Sequence, residues 1–324
     1  MSGSGALGHF GFVPFKGRNS LLDSMFYDVD ALTQDEKLGL SPLTDREGTV
    51  LLVYPAKTGK SIEHYRNALQ LLLHKKDEVC GIAVAGVGSS VLGTAALARN
   101  VADAIEGPVA GIVSGYGVSD LMSEALGGWY FFGAIDRSKY KAEQAMASLV
   151  NGSVIDKMSA GVTGSELDRT NAMLDGLPLQ SDTTAMLDLL ESQPPNLRWL
   201  VGHSKGCLMI DYVLERYARA AENRHSKLYQ DLHVVTLGAV VSLPKKFKHV
   251  TQLIGMIDNF GKMNSTLTVD HREIERAWHH LNRSLPFHFD AVDAMKRLVQ
   301  GKTVGVKPKG FAFSPLELPN AVAS

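Results

Sequence analysis

Gly202-His203-Ser204-Lys205-Gly206 sets a serine between two glycines, each two residues away. A serine hydroxyl attacks well only where a base takes its proton and dipoles receive the charge that forms. Leu200-Val201 runs apolar into the motif, and Leu208, Met209, Tyr212 and Val213 follow it at helical spacing. Strand, sharp turn and helix therefore meet at Ser204. The tip of such a turn is strained, and two places to either side the chain meets its neighbours at a range that only glycine allows. The turn lifts the serine Oγ clear of the sheet and aims backbone N–H groups, that of Lys205 among them, at a developing oxyanion. Acyl transfer is the chemistry such an arrangement would serve.

The elements that must hold this turn can be read along the chain. Apolar runs at 49–54 (TVLLVY), 81–85 (GIAVA), 109–113 (VAGIV), 199–202, 233–237 and 250–257 predict strands. Helical patterns over 62–74, 92–105 and 205–221 fall between them. Continuous β-branched runs alternating with helices predict an α/β fold, its mostly parallel sheet covered on both faces. Residues 1–48 are Gly-rich and then polar, and read as an N-terminal surface segment before the main domain at 49–324. Residues 115–195 carry helical patterns and no strand, which predicts a helical insertion, a lid or cap over one end of the sheet. Trp129, Tyr130, Phe131 and Phe132 cluster inside it and suggest an apolar acyl pocket, though ordinary packing of inserted helices accounts for each of them equally well.

Composition narrows the partners. Among 324 residues, 33 basic and 34 acidic side chains leave a net charge of −1, which gives no electrostatic reason to expect nucleic acid or an anionic membrane. Two cysteines, Cys80 and Cys207, lie in apolar segments and read as reduced core thiols. The N-terminus lacks a secretory apolar core, and no run approaches the roughly 18 apolar residues of a membrane span. A soluble cytoplasmic chain is the expectation. Oligomeric state leaves no mark in the sequence.

The segment LVGHSKG resembles the nucleophile elbow of the α/β-hydrolase superfamily, and the strand–helix alternation is similar over roughly residues 49–300. That resemblance implies an eight-stranded type of sheet, a Ser–acid–His triad in that chain order, and ester, thioester or amide chemistry without a cofactor. Lys205 departs from the hydrophobic residue or glutamine often found after the serine, which bears on substrate class. The implied acid follows the second strand beyond the serine, where Asp258 stands in LIGMIDNFG; Asp231 and Asp270 are rivals. The implied base comes from His271, His279, His280 or His288. Ala277-Trp278-His279-His280-Leu281-Asn282 follows Asp258 by about twenty residues and resembles the loop that delivers the family's histidine. His279 takes the role, with His280 as the alternative. A second oxyanion donor comes from a loop that opens a helix, either 86–90 through Gly88 or 55–59 through Ala56. The sequence leaves that choice open.

Two other chemistries have some footing, and metal chemistry has none. Tyr54-Pro55-Ala56-Lys57-Thr58-Gly59-Lys60-Ser61 ends like a phosphate-binding loop, but Tyr54 stands where glycine is required and Pro55 removes a donor. Gly86-x-Gly88 approximates a dinucleotide fingerprint, with Val91 in place of its third glycine. Adjacent His279 and His280 cannot easily share one ion, and no helical His-x-x-x-His occurs, so no metal is expected. A non-catalytic binding module on the same scaffold is the remaining alternative. The expectation carried forward is a serine hydrolase acting on a small-molecule ester or thioester of a hydrophobic acyl group.

Overall fold

The computed structural model describes residues 23–40, 47–86, 89–114 and 181–308. Eight strands make one sheet: β1 (Val50–Val53), β2 (Glu63–Tyr65), β3 (Gly81–Val84), β4 (Val109–Ile112), β5 (Trp199–His203), β6 (His233–Leu237), β7 (His249–Gly255) and β8 (Arg272–Ile274). Their spatial order is β2-β1-β4-β3-β5-β6-β7-β8. From β4 to β8 every pairing is parallel, and β1 alone runs against its neighbours. The helices are α1 (Gln34–Gly39), α2 (Ala68–Lys75), α3 (Val91–Ile105), α4 (Ser181–Glu191), α5 (Lys205–Arg219), α6 (Leu228–Asp231), α7 (Asn259–Met263) and α8 (Ala291–Val299).

Period-two alternation explains the two-sided core. Val50, Leu52, Ile82, Val84, Leu200 and Val234 face one layer, formed by α2, α4, α5 and α6. Leu51, Val53, Ala83, Val201, Val235 and Leu237 face the other, formed by α3, α8 and part of the N-terminal segment. Both faces are dry, so the central strands read as unbroken apolar runs. This is the α/β-hydrolase topology, a mostly parallel sheet with helices on both faces.

Three expectations change. The pattern over 62–74 is not one helix: it holds β2, and then α2 from Ala68, where the Asn67 side chain accepts the Gln70 N–H and starts the helix. β1 is antiparallel, which its composition could not announce. The N-terminal segment, expected on the surface, sends Tyr27, Leu32 and Leu40 into the core, all at most 4% exposed. Most of the expected insertion over 115–195 lies outside the described residues. No described helix is long and apolar enough to cross a membrane.

Register sets the edge where chemistry can occur. Val84 pairs with Gly202, His203 with Leu237, and Leu237 with Leu253, so the carboxyl ends of β3, β5, β6 and β7 align. The crevice outside such aligned ends is where open α/β sheets bind ligands.

Candidate active site

Ser204 sits between the last residue of β5 and the first of α5, with φ +58° and ψ −123°. A β-branchless side chain still pays strain for positive φ, and the surroundings hold it there. The Ser204 N–H donates to the Leu237 carbonyl of the adjacent strand at 2.9 Å. Gly206 permits the close start of α5: a Cβ there would stand 2.2 Å from the Val84 carbonyl oxygen.

Ser204 Oγ lies 2.8 Å from His279 Nε2, and His279 Nδ1 lies 2.7 Å from Asp258 Oδ2. A carboxylate oxygen accepts, so Nδ1 carries the proton and the Nε2 lone pair faces the serine hydroxyl. The other Asp258 oxygen accepts the Gly261 N–H at 2.7 Å as the N-cap of α7. Asp258 is fully buried, His279 is 2% exposed and Ser204 5%. Three elements converge here. β5 supplies the serine, the turn after β7 the acid, and the loop after β8 the imidazole.

The rivals point elsewhere. His280 Nε2 donates to the Pro286 carbonyl at 3.0 Å, His271 Nδ1 to that of Val269 at 2.7 Å, and His288 Nδ1 to that of Leu285 at 3.1 Å. Asp270 pairs with Lys307 at 3.8 Å, and Asp231 is exposed at the end of α6.

Lys205 is the first residue of α5, and the opening N–H groups of a helix have no intrahelical acceptor. β3 is the neighbour of β5, so its loop reaches the serine: a Cβ on Gly86 would lie 2.8 Å from Ser204 Cβ. Gly88 lies outside the described residues, as do Trp129, Tyr130, Phe131 and Phe132. Ala56 is not near Ser204. Because β1 is antiparallel, Val53 pairs with Val109 at the start of β4, and the following loop emerges at the opposite edge. There the Ala56 N–H donates to Asp103 at 2.6 Å.

No family model, characterised protein or solved structure matched this chain. A cavity of about 440 Å³ beside the 55–61 loop tests the phosphate alternative. Its lining includes Asp35 and Glu36, and its cations are taken: Arg99 pairs with Glu36, and Lys60 lies 3.9 Å from Glu78 and 4.4 Å above the Tyr54 ring. An anion would have to displace those partners. Among the described residues no cluster of three or more His, Cys, Asp or Glu is arranged to hold a metal.

Sequence reasoning missed three buried side chains that hold the loops beside Ser204. His203 has Nδ1 3.0 Å from the Tyr27 hydroxyl and Nε2 2.9 Å from the His279 carbonyl oxygen. Burial pushes its pKa down to about 3. Tyr27 also accepts the Gly86 N–H at 2.6 Å. Asp23, fully buried, accepts the Ser90 N–H at 3.0 Å and its hydroxyl, yet burial still raises its carboxyl to about 6. The Met25-Phe26-Tyr27 run marks an apolar spot, but nothing local in it points to the hydroxyl's distant partners.

Proposed function

We propose that this protein is a serine hydrolase that cleaves an ester or thioester of a hydrophobic acyl group through an acyl-enzyme on Ser204. The observation that carries the reading is the chain of two short hydrogen bonds from Ser204 Oγ through His279 to Asp258. In this mechanism Ser204 attacks the carbonyl carbon while His279 Nε2 takes its proton. Asp258 holds the tautomer and stabilises the imidazolium. The Lys205 N–H and a donor from the β3–α3 loop receive the oxyanion, and the imidazolium then protonates the leaving group. Water, activated by the same imidazole, releases the acyl group.

Preference for an apolar substrate is supported by the rim on the histidine side. Phe260 is half exposed, and its ring centre is 4.9 Å from that of His279 in an edge-on contact. Ile257, Met263, Trp278 and Phe287 are also exposed, on the segments that carry Asp258 and His279.

Labelling with a fluorophosphonate probe tests the assignment. Wild type should label, Ser204→Ala should not, and His279→Ala should lower turnover of p-nitrophenyl butyrate by roughly 10³-fold or more, with His280→Ala within about tenfold of wild type. Labelling that survives Ser204→Ala would remove the nucleophile; a wild type that never labels would favour the non-catalytic binding module.

A further inference from the structure

One directional chain of hydrogen bonds runs behind Ser204. The His279 carbonyl can only accept, so His203 Nε2, 2.9 Å from that oxygen, carries the proton. Burial keeps the His203 ring neutral, leaving Nδ1 as an acceptor. Tyr27 therefore donates its hydroxyl proton to Nδ1, and its oxygen is free to accept the Gly86 N–H. The sequence of donation is Gly86 to Tyr27 to His203 to His279, and every member is buried. At one end stands the glycine packed against Ser204. At the other is the peptide of the residue whose ring faces Ser204 Oγ.

Neighbouring contacts brace the same two loops. The Phe26 carbonyl accepts the Leu281 N–H at 2.7 Å, and the Ser24 carbonyl accepts Asn282 Nδ2 at 2.5 Å. The Phe26 ring stands edge-on to His279 with centres 6.1 Å apart. Asp23 grips Ser90, at the far end of the loop that begins at Gly86.

We propose that Tyr27 and His203 are positioning residues for hydrolysis at Ser204, tying the β3–α3 loop to the His279 peptide so that both keep their places during proton transfer. The proposal rests on the hydrolase reading above. Its physical basis is directionality. Apolar packing resists compression but leaves a loop peptide free to slide, whereas a hydrogen bond fixes the carbonyl's direction. His279 sits on a loop with no regular ladder of its own. A displacement of about 1 Å at such a group can cost roughly a hundredfold in rate. The Gly86 N–H is spent on Tyr27, so its part is to place the loop, not to meet the oxyanion.

The test compares Tyr27→Phe, His203→Gln, His203→Phe and Tyr217→Phe with wild type, reading kcat and KM on p-nitrophenyl butyrate and the rate of fluorophosphonate labelling. Tyr27→Phe should lower kcat and the labelling rate together by about tenfold or more, with KM within about twofold. His203→Gln keeps a donor at the Nε2 position and should stay within about fivefold of wild type, while His203→Phe falls to the level of Tyr27→Phe. Tyr217→Phe removes a buried hydroxyl bonded to Ser226 at 2.7 Å in the other core layer. It should lower Tm by a comparable amount and leave kcat unchanged. Wild-type kcat in Tyr27→Phe, or a kcat loss in Tyr217→Phe that tracks its Tm, would overturn the positioning role while leaving the nucleophile intact. If wild type fails to label, the hydrolase reading and this proposal fall together.

Discussion

His203, next to Ser204 in the chain, and Asp23, bonded to Ser90, have opposite electrostatic consequences. The His203 pKa is depressed from 6.5 to about 3 by burial, so between those values the unfolded chain binds a proton that the folded chain refuses. Its contribution to stability is present above pH 6.5 and is lost as pH falls toward 3. Asp23 is raised from 3.8 to about 6, again by burial, and its folded form holds a proton that the unfolded chain has released. That contribution is present below pH 3.8 and is lost as pH rises through 6. Between pH 3.8 and 6 the two oppose each other and nearly cancel, while outside that window the wider His203 shift acts alone. Urea unfolding between pH 4 and 6 should show His203→Gln losing less stability on acidification than wild type, by about 1 kcal/mol per pH unit. Asp23→Asn should lose more. Parallel profiles for wild type and His203→Gln would contradict the assignment.

Among elements, α3 shows how a residue distant in sequence completes a helix start. Ser90 accepts the Leu92 N–H as N-cap, while its own N–H and hydroxyl donate to Asp23. Ser90→Ala should cost about 1–3 kcal/mol, because it removes the cap and strips a buried carboxylate of a donor; an unchanged urea midpoint would contradict this. Such pairings also mark where the sequence stops being readable. β1, β3 and β4 were legible because their burial is written in contiguous apolar residues. Ser204, Asp258 and His279 were legible as positions because each follows a recognisable strand or resembles a known loop. Tyr27 and Asp23 were not, since their partners lie 59 to 176 residues away and leave no local period. β8 was missed because Arg272-Glu273-Ile274 is a short, half-buried edge strand with no apolar run. Ala56 was misplaced for a different reason: strand direction is a tertiary property, and reversing β1 sends its loop to the wrong edge.

At the scale of the molecule, the sheet separates two edges. The carboxyl ends of β3, β5, β6 and β7 carry Ser204 and its neighbours, while the 55–61 loop, with its paired lysines, opens at the other. Segments far apart in the sequence meet over the first edge. Ser24 and Asn282 bond across 258 residues of sequence. That span has a kinetic consequence. Closing so long a loop is entropically costly, and contacts of high sequence separation form late. The sheet can assemble from nearer partners before residues 23–27 dock. On dilution from urea, far-UV circular dichroism should therefore recover ahead of hydrolysis of p-nitrophenyl butyrate, and a single shared rate would count against this order. Catalytic competence would then report the last step of folding, and a chain whose residues 23–27 have yet to find the 279–282 loop would be structured but silent.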